Sequence, residues 1–145
     1  YYQISANYLC EPVQHYGFYL TPLQNFEKGK TVFYPHGYSN YFFHPTHPHE
    51  LIIVSTENNK VSILNCLSGE IVRTISKGKE YAFCNIDPVT GNYLFRNSYY
   101  VLITNENGDE LFRMRSEDTS PYLANNILTC WAGAAINVEP YLKKP

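Results

Sequence analysis

At 145 residues the chain is long enough to bury one substantial core, and its formal net charge is -2. There is no dense Lys/Arg cluster beyond Lys143-Lys144, which excludes duplex nucleic acid as the principal partner, since phosphate neutralisation needs a basic face. Aromatic residues reach 16% while charged residues are held to 17%, the reverse of a disordered composition, and no run approaches the roughly 18–20 apolar residues of a membrane-spanning helix.

In chain order, residues 1–36 are aromatic and interrupted by Pro12, Pro22 and Pro35, with strand-like stretches at Gly17 to Leu20 and Thr31 to Tyr34. Tyr41-Phe42-Phe43 then reads as a short aromatic strand closed by His44-Pro45. Leu51 to Ser55 is a continuous apolar run, followed by a polar turn at Glu57-Asn58-Asn59. Val61 to Cys66 supplies a third strand, Ser68-Gly69 a turn, and Glu70 to Ile75 a β-branched fourth strand. Four short strands joined by tight turns make one antiparallel meander.

The pattern recurs. Tyr81 to Ile86 runs into Asp87-Pro88, Tyr93-Leu94-Phe95 gives the second strand, Tyr100 to Thr104 the third and Glu110 to Met114 the fourth. Asn107-Gly108 predicts a type I′ hairpin turn. Pro88 follows Pro45 by 43 residues and Ser98 follows Ser55 by the same interval, a repeat length that suits propeller blades. Beyond residue 115, Ile127 to Trp131 reads as the start of a third unit, or Leu123 to Trp131 as a short helix. The expectation is therefore a single all-β domain over 1–145. It is built of antiparallel four-stranded meanders of β-propeller type, two or three blades in all, with a β-sandwich or barrel as the alternative. Repeat units fall at about 37–77 and 78–115, and the flanks 1–36 and 116–145 are partial blades.

Across 37–114 the chain resembles the WD40-type propeller repeats. The likeness is carried by Phe43-His44-Pro45, the apolar strand into Ser55, Val61-x-Ile63, Ser68-Gly69, and Asp87-Pro88-x-Thr90-Gly91 in the second unit. The Trp-Asp dipeptide that names that family is replaced by Leu64-Asn65 and by Thr104-Asn105. The resemblance implies a repeat scaffold for protein–protein interaction. Propellers typically close with four to eight blades. A chain with three at most would self-associate, be completed by another chain, or fold as a sandwich or barrel instead.

Chemistry has few footholds. His36, His44, His47, His49 and Glu50 crowd one Pro-rich segment, and His44, His47 and His49 are the candidate ligands for zinc, copper or nickel. The alternative is an ordinary polar loop between two strands. Asn105 to Glu110 echoes a calcium loop, but its flanks are strands and Asn-Gly explains itself as a turn. Nucleophile elbows and phosphate-binding glycine loops are absent, so no cofactor and no catalytic residue are expected. Cys10, Cys66, Cys84 and Cys130 form no CxxC pair and read as free buried thiols. The surplus of tyrosine is the remaining clue, because a large apolar body with a polar tip suits an interface. Tyr38, Tyr41, Tyr99, Tyr100 and Trp131 are the binding candidates. The function expected is thus a non-enzymatic interaction or assembly module with a protein partner or self-association. A carbohydrate-binding module is the first alternative and a metal-binding protein using His36 to Glu50 the second.

Overall fold

The computed structural model describes residues 2–13, 16–23, 30–37, 39–130 and 133–144. These fold as strands and turns, with a turn of 3-10 helix at Glu139–Tyr141 and no α-helix among them. Leu123 to Thr129, which the sequence left open between helix and strand, is a β-hairpin. The chain divides into two compact units, Tyr1–Thr74 and Ile75–Pro145.

In the first unit, β1 (Gln3–Ile4), β2 (Tyr8–Val13), β3 (Gly17–Pro22) and β4 (Val32–Pro35) pair in sequence order as one antiparallel sheet. A second sheet follows in the same order from β5 (Ser39–Phe43), β6 (Glu50–Ser55), β7 (Val61–Asn65) and β8 (Glu70–Ile75). The two sheets pack through Tyr8, Cys10, Phe18 and Leu20 on one side and Tyr41, Leu51, Ile53 and Leu64 on the other. Alternation fixes which residues meet. Cys10 pairs with Leu20 across β2 and β3, and Tyr41 with Ile53 across β5 and β6, so each pair shares the packed face.

The second unit holds β9 (Ala82–Ile86), β10 (Tyr93–Arg96), β11 (Tyr100–Thr104) and β12 (Glu110–Arg115) as a third antiparallel meander. A fourth sheet contains β13 (Tyr122–Ala124), β14 (Ile127–Thr129) and β15 (Ala135–Asn137). Their shared core is Leu94, Val101, Ile103, Leu123, Leu128 and Val138. Burying these side chains contributes about 1.5–3 kcal/mol each before the cost of ordering the chain.

The four-stranded antiparallel meanders expected from the sequence are present at Ser39–Ile75 and Ala82–Arg115, and each flank carries a sheet of its own. The flanking sheets contain the shortest strands: β1 has 2 residues, and β13, β14 and β15 have 3 each. Strands that short carry no legible alternation. The middle strands are legible because they are buried on both faces. Leu51 to Val54, Tyr93 to Phe95 and Val101 to Thr104 are buried throughout, which demands an unbroken apolar run.

Turn chemistry departs from expectation at Asn107-Gly108. Type I′ needs positive φ at both central residues, yet only Gly108 has it, at 87°. Asn105 Oδ1 instead accepts from the backbone N–H of Asn107 at 3.0 Å and of Asp109 at 2.9 Å, which organises a wider turn ending in a bulge. The two-residue turn with both φ positive lies elsewhere, at Asn125 (50°) and Asn126 (61°) between β13 and β14. Asparagine tolerates this region better than other residues with a Cβ.

The cysteines are all free. Burial pushes the Cys10, Cys66 and Cys84 thiols up to about 12.

Candidate functional site

The residue directly after the first strand of three sheets is a hydrogen-bond acceptor that organises the turn into the second strand. Ser5 Oγ accepts from Asn7 N at 3.2 Å and Tyr8 N at 3.0 Å. His44 Nδ1 accepts from Thr46 N and His47 N, both at 3.1 Å. Asp87 Oδ1 accepts from Val89 N at 2.9 Å and Thr90 N at 3.3 Å. Pro45 and Pro88 follow His44 and Asp87; proline has no N–H to satisfy, and its fixed φ suits the turn.

This capping role decides the histidine cluster. His44, His47 and Glu50 bring their ligand-type atoms within 4.8 Å of one another. A neutral imidazole has one N–H and one lone pair. Since His44 Nδ1 spends its lone pair on two backbone N–H groups, the proton sits on Nε2 and no lone pair faces an ion. His44 is only 6% exposed; burial first, then His47 and Arg73, lower its pKa to about 4, which keeps it neutral. Its ring stacks parallel on His47 at 4.0 Å between centroids. Glu50 Oε1 accepts from an Arg73 guanidinium nitrogen at 2.6 Å. His47 Nδ1 lies 3.2 Å from the same oxygen, off the line of a hydrogen bond. Burial works against the Glu50 carboxylate, and His47 and Arg73 more than offset it, so its pKa falls below the ordinary value. His49 stands outside the group, with Nδ1 2.8 Å from the Tyr8 hydroxyl. Of the expected ligands His44, His47 and His49, the first two come together with Glu50 and the third stands apart. His44 is a turn cap, Glu50 serves an arginine, and His49 serves a tyrosine.

Of the tyrosine candidates, Tyr38 and Trp131 lie outside the described residues. Tyr41 is 6% exposed and packs on Phe18 with centroids 4.7 Å apart, so it offers no surface to a ligand. Tyr99 and Tyr100 are brought together with two residues that the sequence reading passed over. Tyr100 pairs with Arg115 and Leu102 with Arg113 across β11 and β12, which places both arginines on the face that carries the Tyr100 ring. The Arg113 guanidinium lies 5.5 Å from the Tyr100 ring and 5.6 Å from that of Tyr81, and donates to the Tyr81 hydroxyl at 2.6 Å. It also donates to Glu110 at 2.6 Å. Arg115 sits 5.8 Å over Tyr99, which is 55% exposed. The turn that presents both tyrosines is held by Asn97 Oδ1, which accepts from Tyr99 N at 2.8 Å and Tyr100 N at 2.7 Å. Cross-strand register was the signal that would have found Arg113 and Arg115, but only once the bulge between Ile103 and Thr104 was known.

No known protein-family profile and no curated protein matches the chain. Among solved structures, it is similar to BamB from Moraxella catarrhalis, with a TM-score of 0.63 and 16% sequence identity over 89% of this chain and 38% of that one. The chain therefore spans well under half the length of that protein. With the four antiparallel sheets, the likeness defines the class: a nearly all-β protein of propeller-type blades. It does not extend to the WD40 type, whose Trp-Asp position is taken here by Leu64-Asn65 and Thr104-Asn105. Asn65 and Asn105 cap turns there through their side-chain oxygens.

Proposed function

We propose that the chain is a non-enzymatic protein-interaction module within a larger or oligomeric propeller, and that Tyr99, Tyr100, Arg113 and Arg115 form its recognition surface. The supporting observation is the Tyr–Arg cluster itself. Tyrosine and arginine are the residue types that dominate binding energy at interfaces, and here they are pre-ordered by cation–π contacts and by the Asn97 cap. Stacking over Tyr99 leaves the in-plane N–H donors of Arg115 free to meet a carboxylate, so the surface suits a partner with acidic and aromatic side chains.

The test compares the immobilised chain with its Tyr99→Ala/Arg115→Ala double variant in extract from the source cell, with bound proteins quantified by mass spectrometry. The expected result is one or a few proteins whose recovery falls at least tenfold in the variant while its melting temperature is kept. Recovery that is equal for both chains overturns the surface assignment.

A further inference from the structure

The seam between the two sheets of the first unit opens at one end into a cleft of about 270 Å3. Register fixes its wall. Tyr41 pairs with Ile53 and Ile53 with Ser62, while Ser39 pairs with Ser55, so all five share the face that packs on the first sheet. Along that face the apolar core gives out: Tyr41 and Ile53 are buried, whereas Ser39, Ser55 and Ser62 are half-buried and line the cleft above Ile53. The turn from Ser55 to Lys60 is closed by Ser55 N donating to Lys60 O at 2.9 Å and Asn59 N to Ser55 O at 3.0 Å. Asn59 takes a left-handed φ of 58°, and Asn58 Oδ1 accepts from Lys60 N at 3.0 Å. That turn brings the Lys60 side chain to the cleft. From the first sheet comes His36, whose N–H donates to Tyr16 O at 3.0 Å and whose ring lies 6.4 Å from that of Phe18.

Donors dominate this lining. A lysine ammonium offers three, a neutral imidazole one and each serine hydroxyl one. Ser55 Oγ already accepts from Glu57 N at 3.3 Å, which leaves its own proton to donate. Burial first, and then the Lys60 charge, lower the His36 pKa, so at pH 7 the ring is neutral and the ammonium is the positive charge beside it. Lys60 forms no ion pair among the described residues. Glu57 is the one carboxylate of the lining, and its charge disfavours a ligand carrying two negative charges. We propose that this cleft binds a small monocarboxylate, with its oxygens towards Lys60, His36 and the serine hydroxyls and its carbon end on Ile53. The volume sets the size. At about 30 Å3 for each water displaced, the cleft takes a molecule of roughly nine non-hydrogen atoms or fewer. This site lies in the other unit from the Tyr–Arg surface and does not rest on the interaction reading.

Amide NMR titration of the full chain at pH 7.5 tests it, with sodium acetate, sodium butyrate and sodium phosphate, each against sodium chloride at matched ionic strength. The expected result is saturable shifts at residues 36–39 and 53–62 with both carboxylates. Butyrate should bind more tightly than acetate, because its carbon chain reaches Ile53, and phosphate at least tenfold more weakly than butyrate. Lys60→Met should weaken butyrate at least tenfold and Ser62→Ala severalfold, with hydrogen exchange at Tyr41 and Ile53 kept at the wild-type rate. The His36 ring gives a second readout. Its pKa should rise when butyrate saturates the cleft, and should rise in the ligand-free Lys60→Met chain, which lacks the neighbouring positive charge. Shifts that grow linearly and match those in chloride overturn the site. So does saturation elsewhere in the chain, phosphate binding as tight as butyrate, or an unweakened Lys60→Met.

Discussion

His44 and Asp87 occupy the same place in two sheets, directly after the first strand and directly before a proline, and they solve the same problem with different chemistry. Each accepts two backbone N–H groups from the turn that follows. The imidazole has then used its single acceptor. The carboxylate has capacity left, and spends it on the next sheet: Asn125 N donates to Oδ1 at 2.8 Å and Asn126 N to Oδ2 at 2.9 Å. Asp87 thus ties two sheets of its unit together and relieves the Asn125-Asn126 turn of buried donors. Burial opposes its charge, and the backbone donors from Asn126, Val89 and Asn125 more than offset that, which holds its pKa below the ordinary carboxylate value. The lesson is that the turn requires an acceptor, whereas holding a neighbouring sheet requires an anion.

Removing the anion is expected to have the largest effect. Asp87→Ala strands four N–H donors and should cost the second unit about 3 kcal/mol or more, read as a lower urea midpoint and faster hydrogen exchange at Leu123 and Leu128. Asp87→Asn keeps the shape and should cost about half as much.

Acid sharpens the contrast between the units. The folded-state pKa of His44 is depressed, so the unfolded chain takes up its proton first. Stability is therefore complete above pH 6.5 and falls as the pH drops from 6.5 towards about 4, by about 3 kcal/mol at most. Asp87 behaves differently over that range. Its pKa lies below 3.8, so its contribution is present above that value and is lost only as the pH falls through the lower folded value. Hydrogen exchange at pH 5 should show the turn at residues 44–47 opening while the turn at 87–90 stays protected. His44→Asp should abolish that difference; equal protection in the wild type at pH 5 would show that the imidazole is not the acceptor.

Asn65→Ala and Asn105→Ala should each cost about 1 kcal/mol, since each removes a side-chain acceptor for two turn N–H groups that stay within reach of water. The smallest change expected is at Asn126. Replacement by glycine relieves a left-handed residue but forfeits backbone entropy in the unfolded chain, leaving melting within a few tenths of a kcal/mol of wild type.

How much of this was visible in the residues follows from what sequence can encode. Between Ser39 and Arg115 the inner strands β6, β10 and β11 were legible because two-sided burial forces apolar runs, and prolines and glycines between the strands mark the rest. The sheet at Tyr122–Asn137 and the first strand at Gln3–Ile4 were not, since two- and three-residue strands leave no period to count. Asn125-Asn126 hid its turn by lacking glycine. The histidines looked like ligands because proximity along a chain says nothing about which ring nitrogen faces which partner. Tyr41 and Tyr99 look alike in sequence, but one lies on the packed face of β5 and the other in the turn capped by Asn97, which sends one to the core and the other to solvent.

The free thiols have a further use. At pH 7 a thiol pushed up to about 12 holds little thiolate, the reactive species, so buried Cys10 and half-buried Cys66 and Cys84 react slowly while the fold is closed. Exposure would restore ordinary reactivity at once. Each cysteine is therefore a built-in stopwatch: its alkylation rate times how often its own unit opens, with Cys10 and Cys66 reporting on the first and Cys84 on the second.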